Sequence, residues 1–283
     1  MLHRGTKTAE TEIFSAIAVG YKAGESTFEY YRHFPQFARF GKRNFPACGF
    51  AVGLRFQRAG SREMCGRFVR ARAPELYGQL FGVDSVPDIP SFNIAPTQMI
   101  AVIRMQEDHK VCVSLRWGMI PFWAKDKKTS YINARGDTVA SKPAFRAAFK
   151  KRRCLILADG YYEWKAEGKK KQPYYYSMKD DQPIALAGIW DSWTNKDESD
   201  AQPIESCAII TTDANELAHV IHDRMPVILR GADATAWIDP EITDAFALQP
   251  LLRPFPADQM LCRAVGSYVN SVKNHGSACI EPP

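Results

Sequence analysis

From residue 64 onward the chain alternates between short apolar runs and polar turns, and this spacing restricts the folds open to it. Nine runs have the alternation or the β-branched and aromatic content of strands: 66–69, 99–105, 110–117, 154–158, 161–164, 174–178, 184–190, 207–211 and 227–229. Helical patterns are fewer: 74–81, 143–151 behind a cap at Ser141, 214–221 and 232–238. Many strands with few helices predict one α+β domain over 64–283, with a curved, partly closed antiparallel β core and peripheral helices.

Residues 1–63 lack this regular pattern, and we interpret them as an N-terminal extension. No period of 2 or 3.6 is sustained there. The segment carries ten Lys and Arg and five Glu, so it holds +5 of the chain's +6 net charge. The absence of a continuous apolar run argues against a secretory signal, and the acidic residues argue against a mitochondrial presequence. A mis-assigned translation start, a removable leader and a genuine N-terminal region stay open.

Charge and cysteine usage narrow the function classes for the rest of the chain. Outside the extension the net charge is only about +1, so any nucleic-acid surface must be a local basic cluster. No run of about 18 apolar residues predicts a membrane span. The seven cysteines are widely spaced without a CxxC pair, which argues against a disulfide framework and a zinc site. With no P-loop and no GxGxxG motif, we expect no metal, no cofactor and a cytoplasmic location.

The run Met64-Cys65-Gly66-Arg67 carries the most specific chemistry. If Met64 is the true start, removal of the initiator Met leaves Cys65 as the first residue, with an amine and a thiol on adjacent carbons. The α-amine has a pKa of about 7.7–8, so part of it is neutral at pH 7 and can attack an aldehyde. The thiol then closes a five-membered thiazolidine, which an internal cysteine cannot form.

Other polar motifs lie between the apolar runs. Each combines amide, guanidinium, carboxylate or imidazole groups with aromatic neighbours, and each is weak alone. They are Asn93-Ile-Ala-Pro, in a segment that we predict to be a loop over 91–97, Arg116-Trp-Gly-Met-Ile-Pro, Ile132-Asn-Ala-Arg, Asp159-Gly-Tyr-Tyr-Glu-Trp and Ile221-His-Asp-Arg-Met-Pro.

Taken together and in this order, the motifs resemble the SRAP family, the SOS response-associated peptidases or abasic-site-processing proteins. The similarity runs from about residue 64 to 278. It implies a domain that bonds covalently to ring-opened abasic sites in single-stranded DNA. By this resemblance Cys65 forms the thiazolidine, Asn133 orients the amine and the sugar oxygens, Glu163 shuttles protons and His222 assists opening of the deoxyribose ring.

The resemblance also implies a DNA-binding set. Arg67 and Arg135 would hold the phosphates that flank the lesion. Trp123, Trp164 and Pro96 would stack on or wedge neighbouring bases, a mode that tolerates any sequence. Structural core roles for the two tryptophans stay open.

Two features depart from the family pattern. Phe122-Trp123 stands where many members have Trp-Trp, and the 63-residue extension leaves the nitrogen of Cys65 in a peptide bond. Initiation at Met64 or cleavage before Cys65 would free the amine. Two other functions stay open: a cysteine peptidase that uses Cys65, His222 and Asn133, and a non-catalytic single-strand-binding module. We expect a monomer whose partner is single-stranded DNA containing abasic sites.

Overall fold

The computed structural model of the chain describes residues 65–168 and 170–283, so the predicted extension over 1–63 lies outside the described residues. In this part of the chain the strands are β1 (Phe68–Arg70), β2 (Ser91–Ile94), β3 (Met99–Gln106), β4 (His109–Trp117), β5 (Asn133–Arg135), β6 (Arg153–Ala158), β7 (Gly160–Glu167), β8 (Lys170–Met178), β9 (Ile184–Trp193), β10 (Ile204–Asp213), β11 (Arg224–Pro226), β12 (Ile228–Leu229) and β13 (Met260–Ala264). The α-helices are α1 (Pro74–Phe81), α2 (Arg146–Lys151), α3 (Glu216–His219), α4 (Gly231–Ile238) and α5 (Ala245–Leu248). Short 3₁₀ helices cover Gln249–Leu251, Ala257–Gln259, Ser267–Asn270 and Ser277–Ile280.

The strands form two sheets, and the larger sheet closes on itself. The smaller sheet has the order β13-β8-β7-β1-β2 and is antiparallel throughout. In the larger sheet the order is β11-β10-β4-β3-β6-β9-β12, and β9 also pairs with β10. The ring β10-β4-β3-β6-β9 therefore has no free edge, although β10 runs parallel to β4 and β5. The predicted α+β fold with a partly closed antiparallel core is confirmed, and the two parallel pairings of β10 are its exceptions.

Alternating side chains of the larger sheet supply two separate apolar layers. On β3, Ala101 and Ile103 pack in a layer that includes side chains of α1, α2, α4 and α5. Their neighbours Ile100 and Val102 belong to a second layer that also contains Phe68 of the smaller sheet. Successive side chains of a strand point to opposite faces, so both faces of this sheet are buried. The second layer joins the two sheets. No helix of the described residues is long and apolar enough to cross a membrane.

Several predicted elements are confirmed closely. Helix α1 has the predicted bounds, with Pro74 at its start and Gly82 in the left-handed conformation behind its end. The strands predicted over 99–105 and 110–117 form a hairpin, β3 and β4, with Gln106 opposite His109 across a two-residue turn. A φ of 53° at Glu107 fits the primed turns that match strand twist.

Other local predictions are wrong. The segment predicted as a loop over 91–97 contains β2, because Ile94 and Ser91 pair with β1. The second helix begins at Arg146 and not at 143, and Ser141 does not cap it. Its hydroxyl donates instead to the carbonyl of Thr138, three residues earlier, within a series of turns. Strand β13 and helix α5 had no prediction.

Gly160 marks a very close approach of two strands. A Cβ at this position would overlap the carbonyl oxygen of Tyr176 and lie 2.7 Å from ring carbons of Tyr175. Both neighbours belong to β8, which pairs with β7 over its whole length. Because Gly160 has no side chain, β7, the strand that carries Glu163, can pair closely with β8 at this position.

We predict that Gly160→Ala lowers the free energy of unfolding by about 3 kcal/mol, because the added methyl must displace backbone and ring atoms. Urea unfolding followed by circular dichroism measures the change. Gly276→Ala is the matched control, since nothing lies within 4 Å of its Cβ position, and it should alter stability by less than about 0.5 kcal/mol. Equal effects of the two substitutions would contradict the steric argument.

Candidate active site around Cys65

Cys65 and Glu163 meet in the apolar layer between the two sheets. The backbone nitrogen of Cys65 donates a hydrogen bond to Oε1 of Glu163 at 2.6 Å, across 98 positions of sequence. Strand β7 positions the carboxylate, and β1, which begins three residues after Cys65, pairs directly with β7. Both residues are buried, and Cys65 is fully inaccessible to solvent. The fold therefore places the carboxyl group of Glu163 in hydrogen-bonding contact with the nitrogen of Cys65, the atom that is predicted to attack an aldehyde.

Burial controls the protonation of this carboxyl group. Desolvation raises the pKa of Glu163 to about 7, even though the backbone N–H groups of Cys65 and Trp164 favour the ionised form. The negative charge of Asp223 raises the pKa further. Near neutral pH both the acid and the carboxylate are populated, which suits a group that must accept and return a proton.

The side chain and the backbone of Cys65 have unusual properties. Burial, together with the charge of Glu163, raises the pKa of the thiol well above its ordinary value, so the sulfur is protonated at neutral pH. The backbone has a φ of 46°, in the left-handed region that costs an L-residue about 1–2 kcal/mol. Strain of this kind persists only where the surrounding structure enforces it.

Asn133 and His222 are held by elements that pack on the same apolar layer. Asn133 begins β5, opposite Ile209 of β10, and it is half-buried. The adjacent Ile132 and Ile221 both pack on the layer that contains Cys65. The sequence neighbours of both predicted residues therefore contact the apolar layer that contains Cys65.

The imidazole of His222 lies in a tight turn after α3. Its Nδ1 is 2.8 Å from Oδ1 of Asp223 and 3.1 Å from the backbone nitrogen of Arg224, which donates to it. The backbone N–H of His222 donates to the carbonyl of Ala218. Because the charge of Asp223 acts on Glu163, this turn is electrostatically coupled to the carboxyl group at Cys65.

Arg67 and Trp164 form a stacked pair that is tied to a distant segment. The guanidinium lies 5.7 Å from the centre of the indole ring. It donates to Oδ1 of Asn93 at 2.8 Å and to the carbonyl of Val269 at 3.0 Å, and burial lowers its pKa. The indole nitrogen of Trp164 donates to Oδ1 of Asn270 at 2.8 Å. Both side chains therefore have structural partners in addition to their predicted DNA-binding roles.

The other predicted DNA-binding residues are more accessible. Arg135 is exposed and makes a two-point ion pair with Asp137, at 3.1 and 2.7 Å. Trp123 is 44% exposed beside Phe122 at 52%, which is unusual for large aromatic side chains. Pro96 is half-buried in the turn after β2. An exposed aromatic pair and an exposed cation are the features that base stacking and phosphate binding require.

Two polar residues of the motifs have structural roles that sequence reasoning missed. Asn93 is fully buried, and its Nδ2 lies within hydrogen-bonding distance of the carbonyls of Val269, Ser271 and Asn274. Asp159 accepts hydrogen bonds from the hydroxyl of Tyr77 and from backbone N–H groups after β1. A lone polar residue among apolar neighbours was the available signal, because burial requires such a group to find partners.

The described residues contain no cluster of potential metal ligands. Across 65–168 and 170–283, no three His, Cys, Asp or Glu side chains cluster as ligands would. The cysteines of these two ranges are free thiols.

Comparison with known proteins identifies the family. Residues 64–272 match the family model described as SOS response associated peptidase (SRAP), and the chain belongs to this family. Its relatives include "Abasic site processing protein YoqW" of Bacillus subtilis (strain 168), 41% identical over 225 residues that cover 77% of this chain and 99% of that protein. "Abasic site processing protein YedK" of Escherichia coli (strain K12) is 33% identical over 228 residues, covering 77% and 100% of the two chains.

A solved structure supports the same fold. A crystal structure of a protein from Bacteroides thetaiotaomicron matches with a TM-score of 0.63 and 27% identity, over 76% of this chain and 92% of that one. The likeness extends over most of both chains.

We predict that Glu163→Gln changes the pH dependence of stability. The folded-state pKa of Glu163 is raised from 4.5 to about 7, so its contribution to stability is complete below pH 4.5 and is lost as pH rises through about 7. A glutamine keeps an oxygen for the Cys65 N–H but cannot ionise. Relative to the native chain, the variant should therefore gain up to about 3 kcal/mol between pH 4 and pH 8.

Urea unfolding at the two pH values checks this expectation. Glu167→Gln on the same strand is the control, because that side chain is exposed, and its effect should be the same at both pH values. A gain for Glu163→Gln that does not depend on pH would rule out the raised pKa.

Proposed function

We propose that this domain processes abasic sites in single-stranded DNA by forming a covalent thiazolidine through Cys65. The observation that carries the proposal is the 2.6 Å contact between the nitrogen of Cys65 and a buried carboxyl group. The names of the relatives from Bacillus subtilis and Escherichia coli, both abasic site processing proteins, support the substrate class. We place the protein in the DNA damage and repair response, acting as a cytoplasmic monomer.

The first steps form an imine. The free amine of Cys65 attacks the C1′ aldehyde of the ring-opened sugar, and the Glu163 carboxylate carries one proton from the nitrogen to the new alkoxide, which gives a carbinolamine. The second proton of the nitrogen then passes by the same route to the hydroxyl, which leaves as water, and a neutral imine remains. When the amine is protonated, its positive charge lowers the pKa of Glu163 and the pair shares a proton.

The last step forms the ring. The thiol adds to the imine carbon and its proton passes to the imine nitrogen, giving a neutral thiazolidine, so the overall reaction releases one water and involves no redox change. The amine, the thiol and the carbonyl carbon are held within one small site, which favours ring closure. Asn133 would orient the amine and the sugar oxygens, and His222 would donate to the ring oxygen as the sugar opens.

DNA binding in this proposal depends on a few local groups. Arg67 and Arg135 would contact the phosphates beside the lesion, because the domain has almost no global charge excess. Trp123, Trp164 and Pro96 would stack on or wedge the neighbouring bases. For Arg135, a phosphate would replace the present partner Asp137.

We predict that the chain forms a heat-stable adduct with abasic single-stranded DNA only when Cys65 is its first residue. Cys65→Ala should lose the adduct, and Cys65→Ser should form only an imine that heat reverses, because the ring needs both amine and sulfur. Denaturing gel electrophoresis after heating measures the adduct. Cys112→Ala, at a half-buried free cysteine of β4, should match the native protein. Irreversible capture by a chain that retains residues 1–64 would contradict the mechanism.

A second candidate activity is cleavage of the peptide bond before Cys65 by the chain itself. It is favoured by the left-handed backbone of Cys65 and by the carboxyl group 2.6 Å from that peptide nitrogen. The sulfur would attack the carbonyl of Met64, and Glu163 in its acid form would protonate the departing nitrogen. Water would then hydrolyse the thioester, leaving a carboxylate on Met64 and the thiol on Cys65. Trans peptidase activity has no comparable support.

We predict that the full chain shortens by 64 residues on incubation near pH 7, as measured by intact mass. Glu163→Gln should slow the cleavage at least tenfold, because it cannot protonate the leaving nitrogen. Cys65→Ala should abolish cleavage, and Cys112→Ala should not change it. A full chain that keeps its mass unchanged over days would exclude this second activity.

A further inference from the structure

The hydroxyl of Tyr161 is buried beside the reactive pair without a hydrogen-bond partner among the residues that the structure describes. Tyr161 is fully inaccessible to solvent and belongs to the same apolar layer as Cys65. It precedes Glu163 by two positions on β7, so both side chains leave the strand on the same face. Tyr161 therefore lies on the face of β7 that carries the carboxyl group of the candidate active site.

The rest of the Tyr161 side chain is firmly held. Its ring stacks on that of Tyr176, the residue directly opposite on β8, with ring centres 4.8 Å apart and planes 6° from parallel. Its backbone lies opposite Phe68 of β1. The ring cannot turn its hydroxyl away without breaking this stack, so the position of the oxygen is fixed by packing.

An unpaired buried hydroxyl is costly, and a phenylalanine would fill the same space without that cost. The hydroxyl is also in electrostatic contact with the site. Burial, followed by the charges of Tyr176, Cys65 and Glu163, raises the pKa of Tyr161 well above its ordinary value. The phenol consequently stays protonated and can act as a hydrogen-bond donor but not as a base.

We propose that the Tyr161 hydroxyl donates a hydrogen bond to the sulfur of Cys65 while that sulfur closes the thiazolidine ring. This inference rests on the proposed function, since it assigns a donor to its last step. As the S–H bond breaks and the C–S bond forms, negative charge develops on sulfur in a site that burial and Glu163 make unfavourable for a thiolate. A fixed donor stabilises that charge without transferring its own proton. The sulfur's proton passes through the Glu163 carboxylate to the imine nitrogen, which becomes the N–H of the ring.

Both stacked hydroxyls are buried without a hydrogen-bond partner among the described residues, but their charged surroundings differ. After burial, the largest influence that raises the pKa of Tyr176 is Cys262 of β13, whereas for Tyr161 the influences after burial are Tyr176 and then Cys65. Tyr176 thus offers a matched control: the same ring, the same stack and similar burial, with its hydroxyl influenced most by Cys262, a cysteine that has no place in the mechanism.

The test compares Tyr161→Phe and Tyr176→Phe in the full chain, with the recognition sequence of a site-specific protease replacing residues 58–64. Cleavage after folding frees the amine of Cys65. Each protein is mixed with abasic single-stranded DNA, with and without sodium borohydride, which reduces the imine to a stable amine. The borohydride reaction reports imine formation, and the heat-stable adduct formed without it reports ring closure.

For Tyr161→Phe we expect ring closure to slow by about tenfold, the effect of losing one charge-assisted hydrogen bond, while imine formation stays at the native rate. The melting temperature should rise by about 2–4 °C, because the unpaired hydroxyl is gone. Tyr176→Phe should leave both rates unchanged.

Three results would overturn the inference: native rates for both steps in Tyr161→Phe, equal slowing of both steps, or the same slowing in Tyr176→Phe. A fall in the melting temperature of Tyr161→Phe would also count against it, because the hydroxyl would then have a structural partner. Failure of the proposed function itself gives a different result, since the native protein with a free Cys65 amine would then form neither product.

Discussion

The structure depends on one buried hydrogen bond, from the backbone nitrogen of Cys65 to the carboxyl group of Glu163. Burying a carboxyl group costs free energy unless it is paired or protonated, and its pKa of about 7 reflects that cost. The closed ring of strands in the larger sheet and the close approach of β7 and β8 at Gly160 keep the two groups in contact. Folding stability therefore favours the protonated form of Glu163, whereas accepting a proton requires its carboxylate form.

Much of the fold was predictable, because local signals coincide with it. Helix α1 has both of its end signals, and the β3–β4 hairpin has alternating side chains around a two-residue turn. The elements that were missed lack such signals. Strands β2 and β13 exist because β1 and β8 supply their hydrogen bonds, and those partners lie far away in sequence. Similarly, the early residues of the second predicted helix make turns because Ser141 bonds back to Thr138.

The candidate site was likewise only partly predictable from the sequence. The motifs indicate which residues belong together, and the contact of Cys65 with Glu163 agrees with that grouping. Sequence patterns do not reveal that Arg67 donates hydrogen bonds to Asn93 and Val269. Nor do they reveal that Arg135 is paired with Asp137. These are properties of three-dimensional packing between distant segments.

Asn93 connects the region near the start of the domain to a segment about 180 positions later, through the carbonyls of Val269, Ser271 and Asn274. The amide nitrogen of Asn93 donates in those contacts, and Oδ1 of the same side chain accepts a hydrogen bond from Arg67, two positions after Cys65. A ribosome releases the early segment long before the late one. During synthesis, Asn93 and the guanidinium of Arg67 therefore lack their late carbonyl partners until residues 269–274 have emerged.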